Sequence, residues 1–337
     1  MQDLKSKIEK AILRFQNISA GLMLDQKTVD SLSILSSELK SAEAFESISK
    51  DPYWPKWGSP WWKVLLLYES GYKHMIPLEF LDKLIRIIDS HYLHWFPLLE
   101  SELPENCDAY RDVLCHCALG NIYKVLEECG FEVRTKLPWW CEWLGKYQLP
   151  DGGYNCDEAA YTRSKKSSFL STLPMLEAML TVYKKTGDLW VKGLLDKGAQ
   201  YLISHNIYKS STAKIITEEW FKISFPHYYD YDVLLGFSFI VDWALITGAE
   251  LPYELVTDCI DQIEKSVNAD GYVVLSSNKL EKVGSLFYRQ NQWIWDDKSE
   301  TFPALVLFSK AGEVSITLTI KWYETITRLQ SLNVRTV

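Results

Sequence analysis

Phe225-Pro-His227-Tyr-Tyr229-Asp230-Tyr-Asp232 gathers an imidazole, three phenols and two carboxylates just ahead of a long apolar run. Side chains of these types at hydrogen-bonding range can pass protons, which makes His227, Asp230 and Asp232 the leading catalytic candidates, with Tyr229 as a substrate contact. An Asp at a helix N-terminus is a poor acid, because the dipole lowers its pKa; a carboxylate pair or an apolar pocket is needed to raise it. Without such a pocket the two aspartates read as a helix cap and an anchor for a neighbouring tyrosine. Asp108, Asp112 and His116 are spaced by four, so a helix through them would present all three on one face for proton transfer or ion binding. The competing reading makes Asp108 and Asp112 capping charges, with Arg111 paired nearby.

Two further clusters have the residue types of a site. Cys115-His116-Cys117 looks metal-like, but adjacent helical residues diverge and no CxxC partner exists, so the pair reads as buried thiols. The stretch Trp54 to Trp62, including Trp57, Trp61 and Trp62, could stabilise a cation over its ring faces or could fill space between helices.

The elements that would position these groups have a rhythm. Five apolar segments are expected as helices, each closing at a glycine: Ser59 to Gly71, Tyr110 to Gly130, Ser167 to Gly187, Tyr228 to Gly248 and Ser299 to Gly312. Between them, Leu78 to Ser90, Trp139 to Tyr147, Trp190 to Ser204 and Leu251 to Val267 show one apolar face each. Helices are also expected over Leu4 to Phe15 and about Thr28 to Ile48. Strand signals are few: Gly271 to Leu275 fits a short strand, and Val314 to Ile320 is ambiguous. The pattern predicts an all-α fold with a buried and a half-exposed helix layer, residues 1–50 belonging to the same domain as 51–337.

Gln148-Leu-Pro-Asp151-Gly152-Gly153-Tyr154-Asn-Cys156 adds a specific signature: a helix ending in Gln, a tight glycine turn and an aromatic. A weaker copy is Asn268-Ala-Asp270-Gly271-Tyr272, and Tyr201 to Tyr208 keeps only the helix end. Together with Asp51 to Trp62, Ser167 to Ala178 and Phe225 to Leu234, these segments resemble the small bacterial and archaeal proteins of the squalene cyclase/prenyltransferase-like superfamily. The resemblance spans roughly residues 50–310. It implies an α/α toroid in which inner helices surround a cavity and bring their N-termini to one mouth.

That mouth would carry Trp57, Trp61, Trp62, Asp112, His116, Ser168, His227, Tyr229, Asp230, Asp232, Trp293 and Trp295. The chain departs from the relatives' catalytic patterns. Ile294-Trp-Asp296-Asp297 lacks the first Asp of an Asp-x-Asp-Asp motif, and the prenyltransferase zinc ligands are missing. Asp296-Asp297-Lys-Ser-Glu300 matches the pattern by which class I terpene synthases hold magnesium diphosphate; otherwise no metal or cofactor is expected.

Composition narrows the function classes. The net charge is −8 and there is no basic run with interleaved aromatics, which argues against nucleic-acid binding. The longest greasy run, Val233 to Ile246, contains Asp242 and is too short for a membrane span. Seven cysteines without regular spacing suit reduced thiols in a cytoplasmic protein. The resulting expectation is a protein that binds an isoprenoid or other apolar substrate, with acid/base or carbocation chemistry. The alternatives are a glycan-active (α/α) hydrolase or lyase, or a non-catalytic toroid that binds a ligand or a protein partner.

Overall fold

Capping chemistry sets where the helices begin and end. The computed structural model describes residues 2–280 and 283–335. In chain order the α-helices are α1 (Gln2–Ile18), α2 (Gln26–Glu38), α3 (Ala42–Lys50), α4 (Pro60–Glu69), α5 (Leu78–His91), α6 (His116–Glu128) and α7 (Val133–Lys136). They continue as α8 (Trp139–Tyr147), α9 (Phe169–Thr186), α10 (Leu189–Ser204), α11 (Val233–Thr247), α12 (Tyr253–Glu264), α13 (Pro303–Phe308) and α14 (Ile316–Leu329). Ser41, Asp232 and Ser315 cap α3, α11 and α14 through side-chain acceptance of a first-turn N–H. Gly187 and Gly248 close α9 and α11 in the left-handed conformation.

The all-α expectation holds. Among the described residues, strands are limited to β1 (Leu251–Pro252), β2 (Ser285–Arg289), β3 (Gln292–Asp296) and β4 (Val334–Arg335), with β1 parallel to β4 and β2 antiparallel to β3. Among the described residues no helix is long and apolar enough to cross a membrane.

Contacts divide the chain into two units. The first holds residues up to 25, 199–279 and from 308 onward; the second holds 26–198 and 280–307. In the first unit α14 packs on α11 and on α1, and α12 packs on α11. In the second, α6 lies along α9, while α2 and α3 pack against α4 and α3 against α5. A Cβ on Gly120 would stand 2.4 Å from the carbonyl carbon of Pro174, so only glycine lets α6 come this close to α9. Buried residues cover most of α4, α6, α9 and α11, whereas α5 and α12 bury one stripe each.

The Gln148 turn ties its unit together. Gln148 Nε2 donates to the Gly152 carbonyl (2.8 Å) and to the Leu194 carbonyl of α10 (2.7 Å). Gly152 has φ 102°, and Leu149 N–H bonds the Gly153 carbonyl. Buried Tyr154 donates its N–H to Thr172 Oγ1 (2.9 Å) and its hydroxyl to the Leu144 carbonyl, and its carbonyl accepts from Ser168 N–H.

The first unit repeats this geometry. Gly271 has φ 98°, Asn268 N–H bonds the Tyr272 carbonyl, Val273 N–H donates to Thr319 Oγ1 (2.9 Å), and Ser315 N–H bonds the Val273 carbonyl. One turn, one extended step and one helix start, Ser168 to Thr172 or Ser315 to Thr319, therefore recur in both units. The degenerate copy expected at Asp270-Gly271-Tyr272 is real, though Tyr272 takes the place of Gly153 and Val273 that of Tyr154.

Several elements differ from the sequence reading. Thr28 to Ile48 falls in two helices: α2 ends at Glu38, and Ser41 caps the start of α3. Residues 108–114 form turns rather than the first turns of α6. The fifth apolar segment shrinks to α13, with Val306 and Leu307 exposed. Gln292 to Asp296 pairs with Ser285 to Arg289 as a hairpin, whose aromatic and β-branched residues suit strands. Val314 to Ile320 resolves mainly into α14, and residues 271–275 contribute only isolated bridges, Val273 to Val267 and Val274 to Val314.

Candidate functional site

At the start of α6 the chain sets Cys115 in the extended N-cap position and Cys117 in the first turn. An N-cap side chain folds back over the helix end, so the two sulfurs converge: Sγ to Sγ is 3.1 Å. Cys156 follows the glycine clasp, its N–H held by Ser171 Oγ of α9 (3.0 Å), and its Sγ lies 3.9 Å from that of Cys117. All three sulfurs lie within 4.8 Å of one another, and each residue is half-buried.

Hydrogen bonds from Cys115 and Cys117, aided by His116, hold Cys156 well below the usual thiol range against the cost of burial. Cys117 is pushed well up by its hydrogen bonds with Cys115 and Cys156 and by burial. Lys56 lies near the thiols: burial lowers its pKa, while Cys117 and Cys115 act in the opposite direction.

A cavity of about 700 Å³ opens beside this cluster. Its wall is mostly aromatic and aliphatic, with Tyr53, Trp54, Tyr92, Phe96 and Leu114 among the contributors; Lys56, Cys115, Cys156, Glu100 and Glu158 supply the ionisable groups. Asp51 holds part of that wall. It is fully buried, accepts the N–H groups of Tyr53 (2.9 Å) and Trp54 (2.8 Å), and pairs with Arg111 Nε at 3.1 Å. The Arg111 guanidinium in turn lies 4.3 Å over the Trp293 ring. Burial raises the Asp51 pKa despite the Trp54 and Tyr53 N–H groups and the charges of His91 and Arg111.

The expected site residues fall into both units. His227 Nε2 and Asp232 Oδ2 meet at 2.9 Å as a buried pair, and Asp232 Oδ1 caps α11 through Leu235 N–H (2.9 Å). Burial pushes Asp232 up, but the charge and hydrogen bond of His227, the Lys279 charge and the Leu235 N–H outweigh it and leave its pKa below the usual range. Asp230 faces Lys279 Nζ at 3.7 Å, and Tyr229 is half-buried. The cap and anchor reading of this segment thus describes its geometry.

In the second unit Trp57, Trp61 and Trp62 are buried in the core, Trp57 Nε1 donating to the Leu280 carbonyl. Asp112 accepts Asp108 N–H and shares no helical face with His116, since both aspartates precede α6. The proposed stripe is therefore not formed, and the turn is what breaks it. His116 is fully buried, packed among Phe96, Tyr154 and Tyr161. Ser168 starts α9 and acts through its backbone.

Trp293 and Trp295 sit on β3 rather than at a helix N-terminus, and Trp295 lines the cavity. Asp296 pairs with Arg289, Asp297 accepts from Trp295 Nε1, and exposed Glu300 lies beside Gly58. Among the described residues, the three-ligand grouping is the cysteine cluster rather than this acidic trio.

Asp51, Lys56, Tyr92 and Cys156 were not among the sequence candidates. The available signals were a Cys-x-Cys at a helix start and a third cysteine closing the clasp, but 39 residues separate Cys117 from Cys156. Comparison of the chain with protein-family models, curated proteins and solved structures gives no match.

Proposed function

We propose that this protein binds a small, mainly apolar molecule of isoprenoid type in the cavity beside the thiol cluster. The observation that carries the reading is the cavity wall itself: about 700 Å³ lined mostly by aromatics and aliphatics, with Lys56, Cys115, Cys156, Glu100 and Glu158 as its ionisable groups. An unsaturated chain would lie against Tyr53, Trp54 and Phe96, and a polar head would meet the ammonium and thiols. Any chemistry would then start from the thiols or Lys56. His227 and Asp232 are committed to each other and to the cap of α11.

The architecture we associate with this function is the α/α toroid. Alternation of nearly fully buried helices with one-faced ones, and recurrence of the same clasp before α9 and α14, support that arrangement and the likeness to cyclase and prenyltransferase proteins.

Native mass spectrometry of the purified protein, followed by tryptophan-fluorescence titration with polyprenyl alcohols, tests the reading. We expect saturable one-site quenching and a rise in melting temperature with ligand concentration. Val113→Trp, which fills the cavity from a half-buried loop position, should abolish quenching and leave the fold intact. If the wild-type protein carries no ligand and binds none of the panel, the reading is wrong.

A further inference from the structure

Three cysteines from two distant segments rarely meet without a reason, and here a rigid frame brings them together. Cys115 and Cys117 are fixed by the start of α6, Cys156 by its N–H bond to Ser171 of α9. The glycine contact of Gly120 with Pro174 locks α6 to α9. We propose that Cys115, Cys117 and Cys156 are the ligands of one Zn²⁺ ion, with a fourth coordination position facing the cavity.

The distances fit such an ion. Thiolates about 2.3 Å from a tetrahedral zinc stand about 3.8 Å apart. The observed 3.1 Å and 3.9 Å separations, with all three sulfurs inside 4.8 Å, reach that triangle by small side-chain rotations. The charge balance fits as well. Three thiolates around Zn²⁺ leave one negative charge, placed at the positive end of the α6 dipole and near the Lys56 ammonium. Sulfur donors select a thiophilic ion over Mg²⁺ or Ca²⁺.

The half-buried set supplies three donors, and Cys115 and Cys156 both line the cavity. Three protein ligands plus an exchangeable one is the arrangement zinc adopts where it meets a substrate. Metal binding does not depend on what fills the cavity; the open fourth position does rest on the cavity reading.

The test is metal analysis of the full-length chain purified under reducing, anaerobic conditions. We expect one zinc per chain by inductively coupled plasma mass spectrometry. Cobalt exchange should give the thiolate charge-transfer band and visible bands of tetrahedral Co²⁺. Cys115→Ser, Cys117→Ser and Cys156→Ser should each lower zinc at least tenfold, while Cys129→Ser and Cys141→Ser keep it. Thiol counting guards against misfolded variants: zinc should protect three thiols of the wild-type chain from a disulfide reagent.

Absence of stoichiometric uptake, or uptake that survives all three substitutions, overturns the proposal. So does zinc-free protein in which mild oxidant links Cys115 to Cys117, which would make the pair a redox couple. The open position has its own readout: 2-mercaptoethanol should shift the visible Co²⁺ bands in the wild type but not in Val113→Trp. Cobalt loading without that shift in the wild type retains the metal site and removes its access to the cavity.

Discussion

Asp232 shows how one side chain can look catalytic in sequence and serve as structure. Its two oxygens are divided between His227 Nε2 and the Leu235 N–H, and it has no exposure to solvent. Removing one partner of a buried pair leaves the other charge or dipole uncompensated. Asp232→Ala is therefore expected to cost about 3–5 kcal/mol in urea unfolding. The pH dependence has a definite sign. The folded pKa is depressed, so the stabilisation is present above the unfolded carboxyl value near about 3.9 and is lost as pH falls through the folded value. Acid titration of stability should show this loss below roughly pH 4, and the variant should lack it. Asp51 acts in the opposite sense: its folded pKa is raised, so its contribution is present below the unfolded value and lost as pH rises through the folded one.

At the scale of elements, the recurring clasp is the feature with the clearest energetic consequence. Thr172 Oγ1 accepts Tyr154 N–H at the start of α9, and Thr319 Oγ1 accepts Val273 N–H at the start of α14. Valine has nearly the same shape but no acceptor, so each replacement strands a buried N–H. Thr172→Val and Thr319→Val should each cost about 1–3 kcal/mol by thermal or chemical denaturation. A loss at one site with none at the other would mean that the two clasps only look alike. This part of the fold was legible in the chain, since Gln148, the glycines and Asp270-Gly271 mark the turns. The partner threonines were not, because a hydroxyl meeting an N–H 18 or 46 residues away leaves no local periodicity.

For the whole molecule, the chain passes between its two units three times before entering the last segment: once after residue 25, once inside α10 and once after 279, then again after 307. Neither unit is a continuous stretch. The second needs residues 280–307 for the Leu280 carbonyl that accepts from Trp57 Nε1 and for the Ser285 hydroxyl that accepts from Lys56 N–H. A fragment of residues 26–198 is accordingly expected to lack cooperative unfolding and near-ultraviolet circular dichroism. A fragment that melts as one sharp transition would show that the segment is dispensable.

Local chemistry determined the helices. Apolar periodicity, serine and aspartate caps and terminal glycines act within one or two turns, so the sequence carried the all-α class, most helix bounds and the turn after Gln148. Its apolar, aromatic-rich composition also foreshadowed a cavity with such walls. Tertiary structure alone decided which residues meet there. Asp51 reaches Arg111 across 60 residues of chain, and Cys156 reaches Cys115 and Cys117 because α6 and α9 approach closely enough for a glycine and a proline backbone to touch. Packing in the second unit also turned Trp61 and Trp62 into core. Such contacts depend on distances across the fold, and residue spacing along one chain does not encode them.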